Sequence, residues 1–185
     1  MTRSPLSWAR LLPRSSAARP GQAMAEFALV FGVFFMVIGA VIQFGLLLWS
    51  MNTLTQVTRD TARWEVTQST TPCTDGLASL TSTAGTLAQQ WILLGYQPGM
   101  WPAPTIAGID SVGSEGIGAD WSGPAGLQAN DCPPDDATTP WYVSVRINHV
   151  VPIFLPGLQF FAPPCSSAGF CISSTTKQRM EPKAP

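Results

Sequence analysis

Few residues of this chain have side chains suited to chemistry, and they fall into two groups. The acid Glu26 stands alone at the edge of a long apolar segment, five residues after Gly21. Four cysteines and one histidine lie beyond that segment: Cys73, Cys132, Cys165, Cys171 and His149. An acid beside an apolar segment suits charge pairing at a membrane, whereas spaced cysteines suit disulfide bonds or a metal site.

The apolar segment runs from Phe27 to Trp49 without a charged side chain, and Gln43 is its one strongly polar residue. A helix needs about 20 residues to cross the hydrocarbon core of a bilayer. Only a helix lets a single segment satisfy its own backbone hydrogen bonds there. We therefore predict a transmembrane helix over residues 22–49, in contact with membrane lipid, rather than the buried helix of a soluble domain.

The distribution of charge predicts the orientation of this helix. Four basic residues and no acid precede it: Arg3, Arg10, Arg14 and Arg19. The positive-inside rule then keeps the N-terminus in the cytoplasm and places the rest of the chain on the other side. That remainder is acidic, so no nucleic-acid-binding surface is expected.

An ordinary secretory signal peptide does not fit the pattern. The apolar run is longer than the apolar part of such a signal, which has roughly 7–15 residues. No small-x-small cleavage site follows the run. The triplet Ala23-Met24-Ala25 has that composition but lies before the run. The span is therefore expected to stay in the mature protein.

Two interpretations of Glu26 stay open. The helix dipole favours a carboxylate near the start of a helix, which alone would explain the residue. Alternatively, an ionisable group at a spanning segment is costly and has a partner. Cleavage after Gly21 would give Gln22 a new α-amino group and make Glu26 the fifth residue, so the amine of a neighbouring subunit could offset the carboxylate.

Three stretches of the chain resemble one family. The first is Gly21, four further residues and Glu26-Phe27 at the start of an apolar helix, which is similar to the processing signal of class III prepilins. The second is residues 52–66, NTLTQVTRDTARWEV, where Thr61-Ala62-Arg63 resembles an Ala-Ala-Arg type motif. The third is the tail, with a Leu-Pro-Gly segment between two strands. The chain resembles the TadE/TadG-like pseudopilins of tight-adherence (Flp-type) pilus systems.

This resemblance implies a function and a set of residues. The chain would be a minor pseudopilin, a structural subunit of a tight-adherence type pilus or its assembly machinery, in a bacterial inner membrane with a periplasmic or extracellular head. A prepilin peptidase would cut it at Gly21 and Gln22, and other pilins or pseudopilins would assemble with it through the N-terminal helix at Glu26 and Phe27. The alternative is a single-span envelope protein whose head binds a ligand or partner without polymerising.

The expected organisation is a leader at 1–21, the span at 22–49, a head at 50–181 and a tail at 182–185. Residues 50–68 lack Gly and Pro and should extend the first helix, with Leu54, Val57, Thr61 and Trp64 packed on the head. A second helix is predicted over 76–94. Asp75 would cap it, Gly95 would end it, and its apolar stripe would be buried: Leu77, Leu80, Ala84, Leu87, Trp91 and Leu94.

The rest of the head is predicted to hold loops and then strands. Residues 95–140 are rich in Gly and Pro and are expected to be loop, with one short strand near 104–111. Residues 141–181 should form a small antiparallel sheet, because Tyr142 to Val151 alternates apolar and polar side chains. A second strand near Phe170–Met180 has the polar alternation of an exposed edge. The predicted fold class is α+β and pilin-like.

Two features of the head leave alternatives open. The apolar stretch 154–161 fits closure of the core, a contact with the membrane surface, or a partner patch. The four cysteines allow three pairings, of which we favour Cys165–Cys171 and Cys73–Cys132 in an oxidising compartment. A zinc site is the weaker alternative, because there is no C-x₂-C pair.

The chain lacks recognisable catalytic machinery. It has one histidine and no HExxH, GxSxG, P-loop or dinucleotide fingerprint. The acids Asp131, Asp135 and Asp136 lack the spacing of an EF-hand. We therefore expect no enzyme activity, no cofactor, no metal and no small-molecule substrate.

Overall fold

The structure is a computed structural model that describes residues 20–67, 77–104, 109–123, 140–155 and 169–180. Its elements are, in chain order, α1 (Pro20–Thr67), α2 (Leu77–Gln90), a short 3₁₀ helix (Ile109–Ser111), β1 (Gly116–Ser122), β2 (Tyr142–Pro152) and β3 (Gly169–Arg179). A long N-terminal helix, a second helix and an antiparallel sheet of three strands confirm the predicted α+β, pilin-like fold.

Helix α1 is one unbroken element of 48 residues whose character changes along its length. The chain forms two compact units, and the boundary between them falls between Ile38 and Gly39. From Gly21 to Ile38 every side chain is exposed. Beyond the boundary, Leu54 and Val57 are buried, as predicted for the face packed on the head.

The buried face of α1 also carries hydroxyl side chains. Thr58 donates a hydrogen bond to the Leu54 carbonyl oxygen at 2.7 Å, and Thr61 donates one to the Val57 carbonyl oxygen at 2.7 Å. A Ser or Thr in a helix can satisfy its hydroxyl in this way, on a carbonyl one turn earlier. These polar residues are therefore compatible with a fully buried face.

Helix α2 buries an apolar stripe but ends earlier than predicted. Leu80, Ala84 and Ala88 are fully buried, whereas Trp91 lies beyond the helix and is 46% exposed, which corrects its predicted place in the stripe. The predicted end at Leu94 is also wrong, because the last helical residue is Gln90. Asp75, the predicted cap, and Gly76, the predicted first residue of the helix, lie outside the described residues.

The end of α2 is set by Ile92 rather than by Gly95. Ile92 has a φ of 54°, its amide donates to the Gln89 carbonyl oxygen, and the Leu93 amide donates to the Ala88 carbonyl oxygen. This pair of bonds around a left-handed residue is a Schellman motif, whose left-handed position is usually Gly. An exposed Ile there strains the backbone, since a β-branched residue rarely adopts positive φ.

The sheet has the order β1-β2-β3, and both pairs are antiparallel. Val143, Val145 and Ile147 are fully buried, which confirms the face predicted for β2. Among the described strands, β3 pairs with β2 alone and lies at the edge, as its polar alternation predicted. Trp121 of β1 is also almost fully buried in the core.

Strand β1 corrects the prediction for residues 95–140. The strand expected near 104–111 is not formed by the described residues there, because Ile109–Ser111 is a 3₁₀ helix. The strand lies instead at Gly116–Ser122, where Ala119 pairs with Val145 of β2. Its two glycines obscure the alternation of side chains, and only the pairing with β2 makes it a strand.

Candidate functional site

The start of α1 brings together the predicted processing and assembly residues. The Gln22 side chain donates a hydrogen bond from Nε2 to Oε1 of Glu26, at 3.0 Å, across one helical turn. At Gly21 an added Cβ would meet no atom within 4 Å. Among the described residues, Glu26 has no basic partner. Within the described residues, this end of α1 thus presents a carboxyl group without a basic partner, five residues after a glycine with open space around it.

A row of aromatic rings continues from this point along one face of α1. Phe27 and Phe31 stack with their ring centroids 5.4 Å apart, and the centroids of Phe31 and Phe35 lie 4.6 Å apart. All three side chains are exposed. Only Phe27 was predicted as an assembly residue; the spacing of four between these phenylalanines was the available signal for the other two.

Gln43 has a role that sequence reasoning missed. Its side chain is buried, its Nε2 donates to the Pro152 carbonyl oxygen at 3.1 Å, and its Oε1 accepts from the Phe154 amide at 3.0 Å. One turn earlier, a Cβ on Gly39 would lie 2.9 Å from both Cδ atoms of Leu155. The segment 152–155 therefore packs on residues 39–43, within the stretch predicted to span the membrane.

The one histidine is buried in the head and pairs with a glutamate. The Nδ1 of His149 lies 3.1 Å from Oε2 of Glu115, and its Nε2 lies 2.9 Å from the Leu94 carbonyl oxygen. Glu115 also accepts from the Val150 amide and from Nε1 of Trp101. Both ring nitrogens of His149 therefore lie within hydrogen-bonding distance of an oxygen of the head. The pair joins the segment after α2 to β2.

Glu65 is a second buried ionisable group, and nothing in the sequence pointed to it. Its side chain is fully buried, and among the residues that the structure describes neither carboxyl oxygen has a hydrogen-bond partner. Burial raises the pKa of the Glu65 carboxyl from 4.5 to about 7. The desolvation of an unpaired carboxylate explains the direction of this change.

The structure describes one of the four cysteines. Cys171 lies on β3, opposite Val150 of β2, and is disulfide-bonded. Cys73, Cys132 and Cys165 lie outside the described residues, as do the acids Asp131, Asp135 and Asp136. The two favoured pairings therefore stay predictions.

Comparison with known proteins supports the interpretation of α1. Within the described residues, α1 is long and apolar enough to cross a membrane. The family model of TadE-like proteins matches residues 21–63, a stretch that begins at Gly21 and contains Glu26. No curated protein and no solved structure matches the chain. The match confirms the predicted resemblance to TadE-like proteins over the N-terminal helix, and this family implies a Tad pilus-associated, single-pass membrane protein.

Proposed function

We propose that the chain is a minor pseudopilin, a structural subunit of a tight-adherence type pilus or of the machinery that assembles it. One observation carries the proposal. The TadE-like match begins at Gly21, on a helix whose residues 21–38 are all exposed and almost entirely apolar. Such a surface needs lipid or other apolar helices around it. A pseudopilin exchanges its contacts with lipid for contacts with other helices.

The row of phenylalanines supports contact between helices. In lipid, helices associate by close packing of side chains rather than by the hydrophobic effect, because lipid tails are as apolar as the helices. Phe27, Phe31 and Phe35 form a continuous exposed ridge on one face. We infer that this ridge packs against α1 of neighbouring pilins or pseudopilins.

Glu26 would give this packing its register. Cleavage after Gly21 by a prepilin peptidase leaves a positive amine on Gln22, one turn from Glu26. Oε1 of Glu26 accepts a hydrogen bond from the Gln22 side chain, and Oε2 can accept one from the amine of a neighbouring subunit. Pairing would recover part of the cost of placing both charges at the edge of the membrane.

The proposed setting is a bacterial inner membrane. The arginines before α1 support a cytoplasmic N-terminus and a periplasmic or extracellular head. Disulfide bonds suit that compartment. The proposed role is structural, and it involves no reaction on a substrate.

Cleavage is the most direct test of this function. Intact mass spectrometry of the membrane-extracted chain should give a protein that begins at Gln22 when an active prepilin peptidase is present. Gly21→Leu should leave the full-length precursor. Gly32→Leu is the matched control, because a Cβ at either glycine meets no atom within 4 Å. A wild-type chain that keeps residues 1–21 beside the active peptidase would refute the proposal.

A further inference from the structure

We propose that the head contacts the membrane through an apolar collar, formed by part of α1 and by the end of the segment that follows β2. The collar consists of exposed residues from both elements: Val41, Ile42, Phe44, Leu48, Trp49 and Phe154. Its partner is the lipid bilayer that α1 crosses, at the level between acyl chains and headgroups. The inference rests on the single membrane span and is independent of pilus assembly.

The composition of the collar suits lipid rather than water. Phe154 is 62% exposed and Phe44 is 56% exposed, although both are large apolar side chains. Helix α1 carries no charged residue from Phe27 to Thr58. Large exposed apolar patches mark sites of interaction with a membrane or a protein. The exposure of Phe154 also shows that its ring does not close the core, one of the three roles that the sequence left open.

Position along the chain places the collar at the edge of the bilayer. A helix crosses the hydrocarbon core in about 20 residues, and twenty residues counted from Phe27 end at Leu46. Gln43 then lies within the last turn of the hydrocarbon, and Trp49 lies just beyond it. Trp is enriched at this level of a membrane because its ring has an apolar body and a polar N–H group.

The hydrogen bonds of Gln43 explain how a non-helical segment can lie at this depth. Irregular backbone near the hydrocarbon is tolerated only where protein satisfies its polar groups. The Gln43 carboxamide satisfies the Pro152 carbonyl and the Phe154 amide together. The same two bonds satisfy Gln43 itself, which would otherwise be an unpaired amide inside a spanning helix. Each partner therefore removes the cost of burying the other.

Gly39 makes the close approach possible. A Cβ at this position would lie 2.9 Å from both terminal carbons of Leu155. Leu155 is half-buried against the helix, while Phe154 points its exposed ring outwards. Segment 152–155 thus contacts α1 at Gly39 and at Gln43, one helical turn apart. The exposed ring of Phe154 faces the surroundings.

The test is photo-crosslinking of the full-length protein in vesicles of phosphatidylethanolamine and phosphatidylglycerol. Benzoylphenylalanine replaces Phe154 in one variant and Tyr142 in the control. Tyr142 is also an exposed aromatic residue, at the opposite end of β2, about 33 Å away at roughly 3.3 Å per residue. We expect a several-fold excess of lipid adducts at position 154 over position 142.

A second pair of variants tests the two hydrogen bonds between Gln43 and segment 152–155. Gln43→Leu should lower the lipid adducts at position 154, because segment 152–155 loses both of its bonds to α1. Gln56→Leu, at an exposed position of the same helix, should leave them unchanged. Adducts at 154 with a second protein copy only, equal lipid adducts at 154 and 142, or no adducts would each overturn the proposal. None of these outcomes depends on cleavage at Gly21.

Discussion

The two parts of helix α1 place their side chains in different surroundings. From Gly21 to Ile38 the side chains are exposed and apolar, and the chemistry is confined to Gln22 and Glu26 at the start. Beyond Gly39 the helix also carries polar groups that are buried and bonded within the chain, as Gln43 is. This part of the helix therefore contributes to the stability of the head, whereas the first part needs lipid or other subunits. Changes in the head should alter stability, and changes in the first part should alter assembly.

Removing the hydrogen bonds of His149 in the head should have the largest effect on stability. His149→Leu removes the partner of Glu115 and leaves the Leu94 carbonyl without its donor. We expect a loss of about 3 kcal/mol, because two acceptors lose a hydrogen-bond partner at about 1–3 kcal/mol each. Urea unfolding of the detergent-solubilised chain measures it. Ser173→Ala, at an exposed site on β3, is the control and should change little.

Glu65 should make the head less stable as the pH rises. Its folded pKa is about 7 and its ordinary value is 4.5, so between these values the folded chain keeps a proton that the unfolded chain releases. The favourable contribution is complete below pH 4.5 and is lost as the pH rises through about 7. The total loss of unfolding free energy is on the order of 3 kcal/mol, because a change of one pKa unit corresponds to about 1.36 kcal/mol.

The matched variants for this effect are Glu65→Gln and Asp60→Asn. Glu65→Gln should flatten the dependence of unfolding free energy on pH and stabilise the head at pH values above the folded pKa. Asp60 lies on the same helix and is half-buried, and its substitution should keep the slope. A slope that survives in Glu65→Gln would show that another group is responsible.

Relief of backbone strain should have a smaller effect, in the opposite direction. Ile92→Gly removes a β-branched residue from a left-handed conformation, and its 69% exposed side chain contributes little burial. We expect the head to gain about 1 kcal/mol, the cost of this conformation for a residue with a Cβ. Thermal unfolding measures the gain. Gln90→Gly, inside the last turn of α2, should instead destabilise the head.

The smallest effect on the head is expected in the exposed part of α1. Phe31→Ala removes two ring contacts within the helix, each worth about 0.2–0.5 kcal/mol. Unfolding of the head should be unchanged while cross-linking between subunits falls. A loss of head stability comparable to that of His149→Leu would contradict the division between the two parts.

Local patterns predicted much of this fold. Helix α1 was predicted over residues 22–68 and found from Pro20 to Thr67, because an apolar run without Gly-Pro breaks forms a helix through contacts between near neighbours. Strand β2 was visible for a similar reason, in its alternation. The end of α2 was not predicted, since Ile92 occupies a position that normally holds Gly.

The contacts that define the candidate site were harder to predict because they join distant parts of the chain. Gln43 and Pro152 are 109 positions apart, and Glu115 and His149 are 34 apart. No local spacing reveals such pairs. Gln43 was visible only as one polar residue in an apolar segment, and the partner that explains it comes from the other end of the sequence.

The central claim is that Glu26 acts between subunits. Cross-linking of cleaved chains in membranes should give a lower yield of oligomers for Glu26→Ala than for wild type, with insertion and cleavage unchanged. Gln22→Ala removes the hydrogen bond within the helix but keeps the carboxylate, and its oligomers should persist. If Glu26 only complements its own helix dipole, its removal costs a few tenths to about 1 kcal/mol locally. Equal oligomer yields from wild type and Glu26→Ala would then contradict the account.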